Sequence, residues 1–315
     1  MALTRSVLPG LPEASRICLG TATFGTAQIP QDRAFAILDA FAAAGGNFVD
    51  TAHVYAAWLP DGAGASERTL GAWMRSRRME LVVGSKGGHP PLADMMRSRL
   101  RPEDLAADCG ESLERLQRGR IDLYWLHRDD PAIPVGEIID ALQPLLCSGR
   151  IGAIGASNWS TARIAAANAW AAAHGAGGFI ASQIAWSLAA DAPGYTPFGG
   201  TLGMDDATLA WHQASGVAQI PYSSQAGGFF AKPLPTAGRY ACPANAARWH
   251  RVRAMAAQRG CSPNALALAW ILSHPSGGWA VVGPKDPQQL HDSLAADAIQ
   301  LEPVMLESLA GGSPT

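Results

Sequence analysis

At 315 residues, 48% hydrophobic and 16% charged, the chain can fill a sizeable core as one large domain or two ordinary ones. A formal net charge of −2 with interspersed charges excludes a basic nucleic-acid face and a like-charge tail, so the ligand has to be read from sites. No stretch offers the ~18 apolar residues that span a bilayer, and the N-terminal segment lacks the apolar run of a signal peptide. Cys18, Cys109, Cys147, Cys242 and Cys261 form no CxxC pair, which points to a reducing, cytoplasmic setting. Cys18 lies in an apolar strand-like run, Cys109 and Cys147 in helix-like ones; all three are expected to be buried thiols.

Residues 7–16 precede the first apolar run and are expected to form a hairpin. Short apolar runs then alternate with longer amphipathic ones. In chain order, the first half reads as strand 17–20, helix 32–44, strand 47–50, helix 66–77, strand 81–85, helix 102–117, strand 121–126 and helix 135–148. The second half continues with strand 151–156, helix 161–174, strand 179–183, helix 205–214 and strand 217–222. A helix pair at 245–258 and 263–273, strand 279–282 and helix 287–297 complete the series. Ser66 and Ser160 are expected N-caps, and Gly45-Gly46 and Gly260 fall where helices should stop.

Eight strand–helix units in strict alternation imply parallel strands with crossover helices, and their number favours a closed (β/α)8 TIM barrel over an open sheet. No G-x-G-x-x-G follows the first strand, where a dinucleotide-binding open sheet would carry it. The expectation is one barrel domain over residues 1–315, with the 7–16 hairpin closing its floor.

Such a barrel places functional residues at the C-terminal ends of its strands. Asp50 ends the second strand, Tyr55 lies five residues further on, Lys86 follows the third and His127 the fourth. Singly, these types read as a turn cap, a packing ring, a surface charge and a satisfied core imidazole. Four ionisable groups at one end of one barrel read as a site.

At these positions the sequence resembles a known family. NFVDTAHVY, VVGSK, IDLYWLH, GASNW, SQIAWS and PYSSQAGGFF, in that order, are similar to the aldo-keto reductases over residues 17–294. The resemblance implies a catalytic tetrad of Asp50, Tyr55, Lys86 and His127. Its chemistry is readable independently: hydride addition to a carbonyl leaves an alkoxide that needs a proton. A free tyrosine titrates near ~10, and a neighbouring ammonium should lower that value. Tyr55 would then be the general acid, or base in the oxidative direction. Lys86 would tune it, Asp50 would hold Lys86, and His127 would orient the carbonyl. No metal is required, and no cluster has metal-ligand spacing.

The resemblance also implies NADPH. Ser157, Asn158 and Gln183 would hold the carboxamide and Tyr222 would stack on the nicotinamide. Gly20, Thr21 and Ala22, together with Asp50, would approach the nicotinamide ribose. Ser223, Ser224, Gln225 and Gly228 would wrap the pyrophosphate. In VVGPKDPQQLHDSL, Gly283 and Lys285 are placed for the 2′-phosphate, with Gln289 and Ser293 on one face of the following helix. Asp286 and Gln289 depart from the family pattern and leave NADH use open. Ala56 stands where a glycine is frequent, and Gly227 where an arginine is.

The substrate side would be formed by Tyr55, His127, Trp58, Arg128 and Trp186, with Arg128-Asp129-Asp130 at the rim. Tryptophan walls beside charges suit a sugar or sugar-derived carbonyl as the small-molecule partner. The alternative is a cofactor-binding regulatory subunit with little turnover, against which the complete tetrad argues. A lyase using Lys86 as a Schiff base is a more distant third. Oligomeric state is not legible.

Overall fold

The computed structural model describes residues 2–196 and 200–311. Strands β1 (Arg5–Ser6) and β2 (Ala14–Ser15) form an antiparallel hairpin, beginning two residues before the expected one. Eight parallel strands follow: β3 (Ile17–Gly20), β4 (Phe48–Asp50), β5 (Val82–Gly87), β6 (Ile121–Leu126), β7 (Ile151–Ser157), β8 (Phe179–Gln183), β9 (Ala218–Gln219) and β10 (Ala280–Val282). Each pairs with its predecessor from β3 to β9, and β10 returns to pair with β3. The Val281 N–H donates to the Pro221 carbonyl at 2.9 Å, which bridges β10 to the segment after β9 and completes a (β/α)8 barrel.

The seventh barrel strand is shorter than the expected 217–222. Pro221 has no N–H for the ladder, so regular pairing stops before it. Single bonds from Ile220 N–H to the Ser182 carbonyl (2.9 Å) and from Tyr222 N–H to that of Ile184 (3.2 Å) carry the segment along β8.

Two apolar clusters follow from the strands being buried on both faces. Inside the barrel, Cys18, Phe48, Val82, Leu123, Trp125, Ala181, Ile220 and Val281 pack together. Leu8 and Leu11 of the hairpin turn join them and close the floor. Trp125 fills the centre because Gly155 faces it: a Cβ there would lie 2.3 Å from the indole. Outside, the strands pack against α1 (Gln31–Ala43), α2 (Ala65–Arg77), α3 (Pro102–Leu116), α4 (Val135–Cys147), α5 (Thr161–Ala173) and α8 (Pro263–Ser273). Helices α6 (Asp206–Ser215), α7 (Pro243–Arg259) and α9 (Pro287–Leu294) complete the ring. A further helix, α10 (Pro303–Ala310), was not anticipated; it buries Leu306 and Leu309.

Ser160 caps α5, accepting from the Arg163 N–H at 3.3 Å, as expected. Ser66 does not cap α2. Gly64, left-handed at φ 68°, opens that helix, and Ser66 lies inside it. Its hydroxyl instead donates to the Thr21 carbonyl at 2.7 Å and meets the Thr51 hydroxyl at 2.8 Å, tying the β3 and β4 exits together. Cys18 and Cys109 are buried, whereas Cys147, on the last turn of α4, is exposed. Among the described residues no helix is long and apolar enough to cross a membrane.

Candidate active site

Asp50 is the last residue of β4, Lys86 lies near the end of β5, and His127 directly follows β6. Parallel register puts these three exits side by side, with Asp50 opposite Gly84 and Lys86 opposite Trp125. Tyr55 comes back over them from the loop after β4. Ala56 behind it is buried at φ 68°, so the chain adopts a glycine-type conformation there without glycine.

The Lys86 ammonium, 1% exposed, spends all three N–H donors: on the Asp50 carboxylate, on the Thr51 carbonyl at 2.9 Å and on the Tyr55 hydroxyl at 2.9 Å. The Tyr55 hydroxyl in turn donates to Asp50 Oδ2 at 3.2 Å, and Gln183 Nε2 donates to Asp50 Oδ1 at 3.1 Å. A lysine so engaged is held as a cation, which disfavours its use as an amine nucleophile.

The electrostatics depart from the sequence-based expectation in one respect. Burial, then the charge of Asp50, hold the Tyr55 phenol well above its ordinary value, although Lys86 touches it. The hydrogen bond to Asp50 adds to the same upward shift. Burial also pulls Lys86 down, against Asp50. For His127, burial acts first and the charges of Lys86, His89 and Arg128 follow, pushing the imidazole well below its usual range. It is therefore neutral at neutral pH, a hydrogen-bond donor more than an acid. Its Nδ1 is buried with no partner among the described residues, and the His89 ring meets it edge-on at 4.9 Å.

The residues expected around a nicotinamide are brought together. Ser157 ends β7 opposite Gln183 at the end of β8, and its hydroxyl donates to the Gln183 carbonyl at 3.0 Å. Asn158, left-handed at φ 60°, donates to the Ser157 hydroxyl (3.1 Å) and accepts from the Tyr222 hydroxyl (2.8 Å). Gly20 ends β3 against Val282 of β10. Ala22 is half-buried just beyond. The Thr21 hydroxyl is buried and donates to the Asp50 carbonyl at 3.1 Å, which leaves Thr21 only its main chain for a ligand.

The loop after Tyr222 has positive φ at Ser223 (56°), Ala226 (49°), Gly227 (62°) and Gly228 (80°). Two of these turns close on themselves, the Ala226 N–H donating to the Ser223 carbonyl and the Gly228 N–H to the Gln225 carbonyl, both at 2.8 Å. Ser224 does not contribute its side chain: its buried hydroxyl donates to the Val281 carbonyl at 2.6 Å. Gln225 reaches across to Ser293, donating from Nε2 to Oγ at 3.0 Å, and so joins this loop to α9, where the adenosine end is expected. There the Lys285 N–H donates to Gln289 Oε1 at 3.1 Å, and a Cβ on Gly283 would meet nothing within 4 Å. Asp286 is the N-cap of α9, accepting from the Gln289 N–H at 2.8 Å.

One residue escaped the sequence reading. Lys232 folds back over the loop, its ammonium on the Gly227 carbonyl at 2.7 Å. Composition held the signal: among 24 basic residues only Lys86, Lys232 and Lys285 are lysines, and all three fall in or beside the segments expected to form the site.

On the substrate side, Trp58 is half exposed and stands edge-on to Tyr55, ring centroids 6.3 Å apart. Arg128 lies at the same mouth. Trp186 does not: it is buried against Trp270 (5.2 Å) and His274 (5.1 Å). There it lines a separate cleft of about 440 Å³ that contains none of the tetrad. Trp270 belongs to α8 and His274 follows it, so Trp186 packs against that helix and does not wall the pocket. Asp129 also turns away, accepting from Arg163 at 2.9 and 3.0 Å.

A strand-end Asp–Lys–Tyr–His constellation beside an amide and hydroxyl cluster is matched by the comparison with known proteins, where the aldo/keto reductase family model covers residues 16–311. The chain belongs to the aldo/keto reductase family. It is 30% identical to an uncharacterized oxidoreductase, YrpG, of Bacillus subtilis over 94% of this chain and 91% of that one. It is 29% identical to the aldo-keto reductase ausK of Aspergillus calidoustus (91% and 76% covered). A norsolorinic acid reductase, stcV, of Emericella nidulans is 28% identical (94% and 77% covered). Like these reductases and oxidoreductases, this aldo/keto reductase is an enzyme of carbonyl reduction.

Proposed function

We propose that this aldo/keto reductase interconverts a carbonyl and its alcohol with NADPH, with Tyr55 as the general acid and base. The observation that carries the reading is the Tyr55 hydroxyl held between Lys86 and Asp50 (2.9 Å from Nζ, 3.2 Å from Oδ2) beside a neutral His127. When bound, the nicotinamide supplies or takes the hydride. The chain's residues do the rest. His127 donates to the carbonyl oxygen and orients it. Tyr55, kept protonated by its surroundings, passes its proton to that oxygen as charge develops, and Lys86 stabilises the phenolate left behind. In the oxidative direction the Tyr55 phenolate accepts the alcohol's proton.

The donor set fits the cofactor. Ser157, Asn158 and Gln183 both donate and accept, as a carboxamide requires, and Tyr222 offers a ring beside them. The small-residue 223–228 loop with the Lys232 ammonium folded over it suits a pyrophosphate. Lys285 and Gln289 suit a 2′-phosphate, and the engagement of Asp286 as a helix cap turns its charge to the helix N–H groups. The substrate is proposed to be a sugar or sugar-derived carbonyl, supported by Trp58 and Arg128. A cytoplasmic location is part of the same proposal, supported by five free thiols.

Lys285→Ala tests the cofactor assignment. Removing one charge-assisted contact should raise the NADPH Kd roughly 10- to 100-fold in a tryptophan-fluorescence titration, with NADH affinity within about twofold. Equal losses for both nucleotides would show that Lys285 does not meet the 2′-phosphate.

A further inference from the structure

Arg128 stands at the barrel mouth without a carboxylate partner among the described residues. Its Nη1 donates to the His127 carbonyl at 3.1 Å, which pins the guanidinium to the end of β6 beside the catalytic imidazole. Its Nε is buried and has no hydrogen-bond partner among the described residues. The acids next to it in sequence are engaged elsewhere. Asp129 is taken by Arg163 at 2.9 Å, and Asp130 Oδ1 accepts from the Ala132 N–H at 3.0 Å. Burial lowers the affinity of Arg128 for a proton, and the titratable groups that face it are the Tyr222 and Tyr55 phenols, both raised and so uncharged at neutral pH. His127 and His89 face it as neutral rings, each held below its usual range chiefly by burial.

A partly buried cation with spare N–H donors costs free energy unless an anion meets it. The position is telling: Arg128 follows the residue that orients the carbonyl, on the side of the phenol that protonates it. We propose that Arg128 receives an anionic group of the substrate, so that the preferred carbonyl compound is an aldehyde or ketone bearing a carboxylate, acid forms of sugars included. A carboxylate matches the guanidinium fork bidentately, which fixes orientation as well as affinity. This deepens, and rests on, the carbonyl-reductase reading. The cofactor's phosphates have their own cations in Lys232 and Lys285 on different loops.

Matched pairs test it: 4-carboxybenzaldehyde against methyl 4-formylbenzoate, and glucuronate against glucose, each reduced with NADPH. In the wild type kcat/KM should favour the acid by roughly 10- to 100-fold, mostly through KM. Arg128→Met should erase the preference. Arg128→Lys should restore part of it, keeping the charge but not the fork. The NADPH Kd of Arg128→Met should stay within about twofold, because the fork is assigned to the substrate. Equal efficiency on acid and ester in the wild type would overturn the proposal, as would an Arg128→Met variant that loses both alike. A tenfold weaker NADPH Kd would reassign the arginine to a cofactor phosphate. Titration with 4-(hydroxymethyl)benzoate and its methyl ester separates this from failure of the reductase reading. If no aldehyde is turned over, tighter binding of the acid that Arg128→Met abolishes still upholds the anion site, and equal binding refutes it.

Discussion

Tyr55→Phe should lower turnover of a simple aldehyde by about 10²- to 10⁴-fold, with the NADPH Kd nearly unchanged. The substitution removes one oxygen and leaves the ring that packs against Trp58 and His127 at 6.3 and 6.0 Å, so the fold has no reason to change. The lost atom sits between Lys86 and Asp50 and is the proposed proton source for the developing alkoxide. The pH profile carries the sign. Burial and Asp50 raise the phenol's pKa above the ordinary tyrosine value, so the donating form prevails through neutral and mildly alkaline pH. The wild-type rate of reduction should therefore be flat there and fall only at strongly alkaline pH. Alcohol oxidation needs the phenolate and should rise with pH. His127, held well below its usual range, should add no limb near neutrality. Undiminished reduction by Tyr55→Phe would reject Tyr55 as the donor.

The second large effect is on stability. Lys86→Met deletes the cation from a pair whose side chains are each 1% exposed and leaves Asp50 buried and uncompensated. Breaking such a pair costs about 3–5 kcal/mol, which for a chain of this size lowers Tm by roughly 5–8 °C. Burial outweighs the attraction of Asp50 in setting the Lys86 pKa, so the pair is costly to keep. Removing both charges, in Lys86→Met with Asp50→Asn, should recover much of the lost stability. It should not recover turnover, because the phenol then lacks both neighbours. Calorimetry and steady-state assays on the two variants separate the effects. A Tm for Lys86→Met within about 2 °C of wild type would show that the pair contributes nothing to folding.

The alternation of runs made the barrel legible because a parallel strand covered by helices is apolar throughout and ends where a polar residue faces the mouth. Asp50, Lys86 and His127 could be found for that reason, each at a strand end. Side-chain direction beyond a strand end was not legible. Trp186 and Trp58 look alike in sequence, yet one packs on Trp270 and the other stands beside Tyr55. Ser66 looked like a cap because the left-handed turn at Gly64 leaves no local mark that distinguishes it from an ordinary loop glycine. Ser224 and Thr21 read as ligand contacts, but their hydroxyls are spent on the carbonyls of Val281 and Asp50. The raised Tyr55 pKa was missed because the reading weighed Lys86 alone. Burial and the second contact to Asp50 are three-dimensional facts.

The central claim is that this site moves a hydride between NADPH and a carbonyl carbon. Incubating the wild-type enzyme with C4-deuterated NADPH and 4-carboxybenzaldehyde, then weighing the product by mass spectrometry, tests it directly. One deuterium is expected on the former carbonyl carbon, with far less product, equally labelled, from Tyr55→Phe. An alcohol formed without deuterium from either face of the labelled nicotinamide, or no nucleotide-dependent reduction at all, would contradict it.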